Sequence, residues 1–181
     1  NLNNKKQYVE LQAHGSSTAF SGLAKGNTDI GMASRRIKKT ELNSLKESAG
    51  KLNRIGNEHI IGLDGLAVIV NQNNPIKSLS TETLAKVFSG TISNWSQLGG
   101  EDKKITLFAR DLYSGTWDTF RNLVLKKHKV SLSNKAQRVE SSSTLSTKVS
   151  QNEWAIGFIG LNYILHNKAI AISATKDTNA I

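Results

Sequence analysis

Three times in this chain a short β-patterned run gives way to a cluster of small hydroxyl residues and then to a helix-patterned segment. Tyr8–Ala13 leads into His14-Gly15-Ser16-Ser17-Thr18, Ile105–Arg110 into Asp111-Leu112-Tyr113-Ser114-Gly115-Thr116, and Gln137–Glu140 into Ser141-Ser142-Ser143-Thr144. A strand that feeds a helix through a short turn, used repeatedly, is the building unit of an α/β fold with largely parallel strands. The turn also has chemistry of its own. The first N–H groups of a helix have no intrahelical partner, and the helix dipole puts partial positive charge at the same end. Serine and threonine hydroxyls placed there add donors, so the junction suits an oxyanion.

Capping is the simpler role for such residues, since Ser and Thr are ordinary N-caps. It is the expected role at the third turn. The first two carry a glycine among the hydroxyls, which lets backbone approach a ligand closely. The second also follows Arg110, at the carboxyl end of a strand, where α/β sheets bind ligands and where a guanidinium can grip an oxyanion bidentately. Ligand contact is therefore expected at the first two turns.

Other segments fit the same fold class. Gly15–Lys25 shows one apolar helical face, Ala19, Phe20, Leu23 and Ala24, closed by Gly26-Asn27, and Leu42, Leu45 and Ala49 mark a second helix. Asp29–Ala33, His59–Leu63, Leu66–Asn71, Trp154–Ile159 and Ala169–Ser173 read as strands, with Leu66–Asn71 too continuously apolar for a one-sided strand. Ser80 is placed as an N-cap with Leu79 and Leu84 as a hydrophobic staple, Thr116–Leu125 reads as a helix buried through Trp117, Phe120 and Val124, and Ser143–Val149 as a short helix.

Composition narrows the function classes. The 181 residues carry 24 basic and 14 acidic side chains, a formal charge of +10, which favours anionic partners. Most basic residues are expected on solvated faces, and the basic clusters lack the interleaved aromatics that a nucleic-acid surface uses, so no nucleic acid is expected. There are no cysteines, so neither disulfides nor thiolate chemistry enters. The four histidines have no metal-ligand spacing, and neither a metal nor a cofactor is expected. No nucleophile elbow, Walker loop or dinucleotide glycine motif occurs, so an enzyme is not expected. The longest nearly charge-free apolar run, Trp154 to Leu165, is short of the ~20 residues that span a bilayer. No basic-then-apolar leader opens the chain, which is expected of a mature form, an excised piece or a cytosolic protein.

The turns, read with their neighbours, resemble the phosphate-binding proteins of bacterial phosphate ABC transporters. The match runs in order through Gly15-Ser-Ser-Thr-Ala-Phe-Ser-Gly-Leu to Asp29-Ile-Gly-Met-Ala-Ser-Arg, Leu63-Asp-Gly-Leu-Ala-Val-Ile-Val-Asn, Val87-Phe-Ser-Gly-Thr-Ile-Ser-Asn-Trp, Arg110 with Ser114-Gly-Thr, and Trp154-Ala-Ile-Gly-Phe-Ile-Gly. The wording is similar to the branch in which this domain precedes an outer-membrane-protein-A-type domain. The resemblance implies a two-lobed periplasmic-binding-protein type II fold with two crossovers, near Gly65–Val68 and Gly157–Leu161. One lobe would hold 1–66 plus 161–181 and the other 67–160. It places Ser16 on one side of an anion and Arg110, Ser114, Gly115 and Thr116 on the other, with Ser17, Thr18, Ser34 and Arg35 as neighbours. It further implies phosphate or a similar small oxyanion as ligand, an ABC-transporter permease as partner, and a periplasmic or other extracytoplasmic location. A cell-envelope structural or adhesive protein that keeps the fold without tight binding is the alternative.

Two departures from the family pattern shape the expectations. The usual first strand-helix unit, with its own Gly-Ser-x-Thr loop, is not seen here, so a sheet completed by other residues or another chain is expected. Arg35 stands where the best-known phosphate site has an aspartate, so an added donor and positive charge in the cleft, with weaker discrimination against sulfate, is expected.

Overall fold

A computed structural model describes residues 9–12, 14–45 and 56–174. In chain order the elements are α1 (Ser16–Lys25), α2 (Lys39–Ser44), β1 (Leu66–Val70), β2 (Ser78–Ser80), α3 (Thr81–Ser89), β3 (Thr106–Arg110) and α4 (Gly115–Phe120). They continue with β4 (Gln137–Val139), α5 (Ser142–Ser150), β5 (Ala155–Gly160), β6 (Lys168–Ala169) and β7 (Ala171–Ser173). A π-helical stretch, Arg121–Lys126, carries α4 onward and buries Val124 and Leu125.

The core is a five-stranded sheet in the order β4-β3-β5-β1-β6, with β2 and β7 forming a parallel pair beside it. β3 runs parallel to β4 and β5, whereas β1 is antiparallel to both β5 and β6. The sheet is thus mixed, not largely parallel as the sequence suggested. The reason is that the chain passes once through β1 and returns beside it through β5. Leu66 lies opposite Gly160, and the Leu161 N–H donates to the Gly65 carbonyl at 2.9 Å just beyond the pair.

Alternation along the strands sorts their side chains onto two faces. Val68, Val70, Leu107, Ala109, Ile156 and Phe158 face α3, α4 and the π-helical stretch, where Phe158 stacks on Phe120 with ring centroids 3.9 Å apart. Ala67, Ile69, Phe108, Ala155 and Ile159 face α5 through Leu145 and Val149. Gly157 belongs to this second face, and a Cβ there would come within 2.5 Å of Leu145, so glycine is what lets α5 settle on the sheet. β1 and β5 are therefore covered on both sides, as their unbroken apolar character requires. The staple is also as read: Ser80 Oγ accepts from the Thr83 N–H, and Leu79 and Leu84 are buried.

The segment before the sheet is built differently. α1 ends on Gly26 in the left-handed conformation, and α2 is a single short helix whose Lys38 N–H is capped by Glu41. Among the described residues before Leu66 there is no strand. Asp29–Ala33 and His59–Leu63 run as irregular chain, and so do residues 9–12; Tyr8, Ala13 and Ala49 lie outside the described residues. The strand expectations at Asp29–Ala33 and His59–Leu63 are corrected accordingly, as is that at Tyr8–Ala13 for its described residues 9–12. A strand needs a neighbour for its N–H and C=O groups, and no partner strand faces these runs among the described residues. Their apolar side chains are left in solvent, Ile30 82%, Ile61 94% and Leu63 98% exposed. At the other end, Ala169–Ser173 is interrupted rather than continuous: β6 pairs with β1, Ile170 drops into the core, and β7 pairs with β2.

Candidate functional site

The three hydroxyl-rich turns meet near the carboxyl ends of β3 and β4. Gly15 is extended and caps α1, and a Cβ on it would sit 2.3 Å from the Tyr113 carbonyl oxygen. This close approach brings the first turn against the second: the Ser17 N–H donates to the Tyr113 carbonyl at 3.3 Å. Ser114 caps α4 by accepting from the Trp117 N–H, and Gly115 follows as the first helical residue. A Cβ at Gly115 would lie 2.2 Å from Ser34 Oγ and 2.5 Å from Ser16 Oγ. Ser16 and Ser34 are themselves paired, with the Ser34 N–H donating to Ser16 Oγ at 3.1 Å and the two hydroxyls 3.3 Å apart. Two hydroxyls from separate loops thus stand over a glycine at a helix start, at a spot where no larger residue fits.

The remaining candidates distribute around this point. The Thr18 hydroxyl donates to the Gly15 carbonyl at 2.7 Å, so its proton closes its own turn. Ser17 Oγ accepts from Arg35 at 2.9 Å. Thr116 is half-buried in the first turn of α4. Arg110, at the end of β3, is turned toward the third turn: its Nε–H and one Nη–H donate to the Glu140 carbonyl, and Nη1 donates to Ser142 Oγ at 2.5 Å. Burial lowers the Arg110 pKa, and the charges of Asp111, Tyr163 and Glu140 offset that only in part. Asp111 makes no ion pair with Arg110 among the described residues; it accepts from the Tyr113 N–H at 2.7 Å and holds the second turn.

Ser142 joins the candidate site although the sequence does not single it out. The third turn was assigned to capping, and Ser141 does cap α5 by accepting from the Thr144 N–H. The adjacent Ser142, however, is buried and orients Arg110. The signal was present in the run of three serines, which is more than one cap needs.

Arg35 is not the uncompensated donor that its place in the sequence suggests. Its side chain is 8% exposed, and both terminal nitrogens are hydrogen-bonded. Glu41 accepts from both of its terminal nitrogens at 2.7 and 2.8 Å, and the guanidinium lies over the Phe20 ring. Asp118 Oδ2, in the first turn of α4, lies 2.8 Å from Nε as a close ion pair in which the N–H is not aligned for a hydrogen bond. Lys38 Nζ adds a second cation 2.6 Å from the same oxygen. Burial would lower the Arg35 pKa, but Glu41 and Asp118 outweigh it and raise it. Two carboxylates balance the two cations, so Arg35 brings the cleft no uncompensated charge. Nothing in the spacing of the sequence joins Arg35 to Asp118, because they meet only when the first two turns do.

A groove of about 590 Å³ on the flank of α4, lined by Trp117, Leu125, Leu132 and Arg138 among others, contains none of these hydroxyls. Among the described residues no helix is long and apolar enough to cross a membrane.

A mixed sheet covered on both faces, with serine-bearing helix starts gathered near the carboxyl ends of β3 and β4, defines an α/β domain. The chain belongs to the PBP superfamily domain family, whose model matches residues 2–180. Among curated relatives it is 30% identical to the phosphate-binding protein PstS of Bacillus subtilis, over 91% of this chain and 51% of that protein. It is 31% identical to PstS of Borreliella burgdorferi, over 88% and 56%. The chain spans about half the length of the curated relatives it matches. Among solved structures, an ABC-type phosphate transport receptor from Vibrio cholerae superposes with a TM-score of 0.68 at 32% identity, covering 96% of this chain and 68% of that one. An ABC-transporter substrate-binding protein from Clostridium perfringens with bound phosphate superposes at 0.75 with 32% identity, over 90% and 63%.

Proposed function

We propose that this chain captures inorganic phosphate or a similar small oxyanion outside the cytoplasm, for delivery to the permease of an ABC transporter or for sensing. It does so by binding alone, without catalysing a reaction. The observation that carries this reading is the convergence of Ser16 and Ser34 on Gly115. Hydroxyl and backbone N–H donors from separate turns meet where a helix start favours negative charge, and Arg110 stands at the adjoining strand end. Ser17, Thr18, Thr116 and Ser114 complete the immediate surroundings, with Ser142 orienting Arg110. The family membership and the phosphate-binding relatives support the same ligand class.

The two-lobe division belongs to this proposal: 1–66 plus 161–181 against 67–160, joined near Gly65–Val68 and Gly157–Leu161, with the strands at 168–173 laid against the second lobe. An anion held between the lobes would be enclosed as they close.

Calorimetric titration with phosphate at fixed ionic strength tests the reading. Saturable one-to-one binding is expected, and Arg110→Ala should weaken it by about 1.5–3 kcal/mol, ~10- to 150-fold. No saturable binding by the unaltered chain would refute the proposal and favour an envelope structural role.

A further inference from the structure

The site has two walls. One is formed by α1, the loop bearing Ser34, and α2; the other by the start of α4. Behind the hydroxyl cradle the same walls are joined a second time, by charge. We propose that Arg35 and Asp118 form an ionic clasp that sets how firmly the two walls close on the anion, which makes them positioning residues for capture. The inference rests on the oxyanion reading of the site given above.

The geometry supplies the leverage. Arg35 follows Ser34 directly and also donates to Ser17 Oγ, so it is tied to both hydroxyl loops of the first wall. Asp118 lies one helical turn beyond the Ser114 cap, its N–H donating to the Ser114 carbonyl at 3.2 Å. Bringing Arg35 Nε to 2.8 Å from Asp118 therefore draws Ser16 and Ser34 down onto Gly115. The side chains of the pair are only 8% and 6% exposed, so salt does little to screen the contact.

The clasp is also asymmetric. When the walls part, Arg35 keeps its two bonds to Glu41, which is fixed in turn by the Lys38 N–H at the start of α2. Asp118 loses Arg35 and Lys38 together. Opening gives up both ion contacts at Asp118, and rehydration of the carboxylate offsets only part of that loss. Because the four charges cancel, the clasp neither attracts nor repels the incoming anion. It acts on departure, so its signature is the dissociation rate.

The test is a double-mutant cycle on phosphate dissociation, measured by stopped flow, with Asp118→Asn, Arg35→Gln and the pair. Asp118→Asn keeps the side-chain shape, and it should raise the dissociation rate about tenfold even though the positive charge it leaves uncancelled favours association. The double variant should be no worse than the poorer single one, the coupling expected of residues in contact. Lys38→Gln, at a half-exposed position, should raise the rate about threefold, and it serves if the buried variants fold poorly. Spin labels at Asn43→Cys and Asn122→Cys, unique because the chain has no cysteine, report the wall separation without any ligand. Asp118→Asn should lengthen and broaden that distance. If the unaltered chain binds no phosphate, the oxyanion reading fails, and the label distance alone judges the clasp. An unchanged distance distribution, or single effects on dissociation that simply add, would overturn it.

Discussion

Residues 14–45 and residues 66–173 are drawn from the same vocabulary of apolar runs, hydroxyl turns and amphipathic helices, yet they are held together by different forces. The later region is organised by burial. Phe88, Phe120 and Phe158 pack ring on ring, β1 and β5 lie inside, and two helical layers close over the sheet. In the earlier region only Ser16 and Leu45 are buried among the described residues, and what orders it is polar: the Arg35–Glu41 pair, Asp118 reaching in from α4, and the serine contacts at Gly115. One half of the site is thus borne on a rigid scaffold, while the other half is held to it largely by charge and hydrogen bonds. That division suits the binding site proposed above, whose walls would part to admit an anion.

The widest difference should appear in amide hydrogen exchange. Amides of β1 and β5 sit in a doubly covered ladder and should exchange only through global unfolding, at least about a thousandfold slower than those of residues 9–12 and 59–63. Comparable protection in both sets would mean that the earlier runs are paired in solution. Next in size is Phe158→Ala, which removes a fully buried ring and should cost about 3–5 kcal/mol in urea unfolding, while Ile61→Ala should fall within about 0.5 kcal/mol of the unaltered chain. Similar losses for the two would erase the distinction between the regions.

Gly115→Ala bears on the seam itself. Its methyl would displace the Ser16 and Ser34 hydroxyls, so phosphate affinity should fall about tenfold or more, ~1.4 kcal/mol, with a melting temperature that moves far less than for Phe158→Ala. Full phosphate affinity in that variant would place the anion elsewhere.

The smallest expected effect is one of pH. Burial by itself would raise the Glu41 pKa, but the hydrogen bond from Arg35, that from the Lys38 N–H and the two positive charges together lower it. A carboxylate whose folded pKa lies below its ordinary value near 4.5 stabilises fully above that value, and the gain is lost as pH falls through the folded pKa. Glu41→Gln should therefore be less stable than the unaltered chain at pH 7, by about 1 kcal/mol, and the two should converge in strong acid. A difference that persists unchanged at low pH would show that the Glu41 charge contributes nothing.

The later region was legible almost element by element. Ser80, Ser114 and Ser141 were each marked as helix starts by their hydroxyls, and Trp117, Phe120 and Val124 by their spacing, because capping and helical periodicity are properties of a few neighbouring residues. Legibility failed where a partner decides the outcome. Asp29–Ala33 and His59–Leu63 carry strand composition without a strand beside them, and Arg35 was read as a free donor because Glu41 and Asp118 are invisible as partners in one dimension.

The sequence alone determined the α/β class, the family resemblance and the identity of the hydroxyl turns, since each depends on local pattern. Tertiary structure alone decided the antiparallel return of β5 beside β1, the turning of Arg110 toward Ser142, and the neutralisation of Arg35. Pairing direction and charge compensation depend on which distant residues meet, and a carboxylate a few ångströms away changes what a guanidinium can do more than any neighbour along the chain.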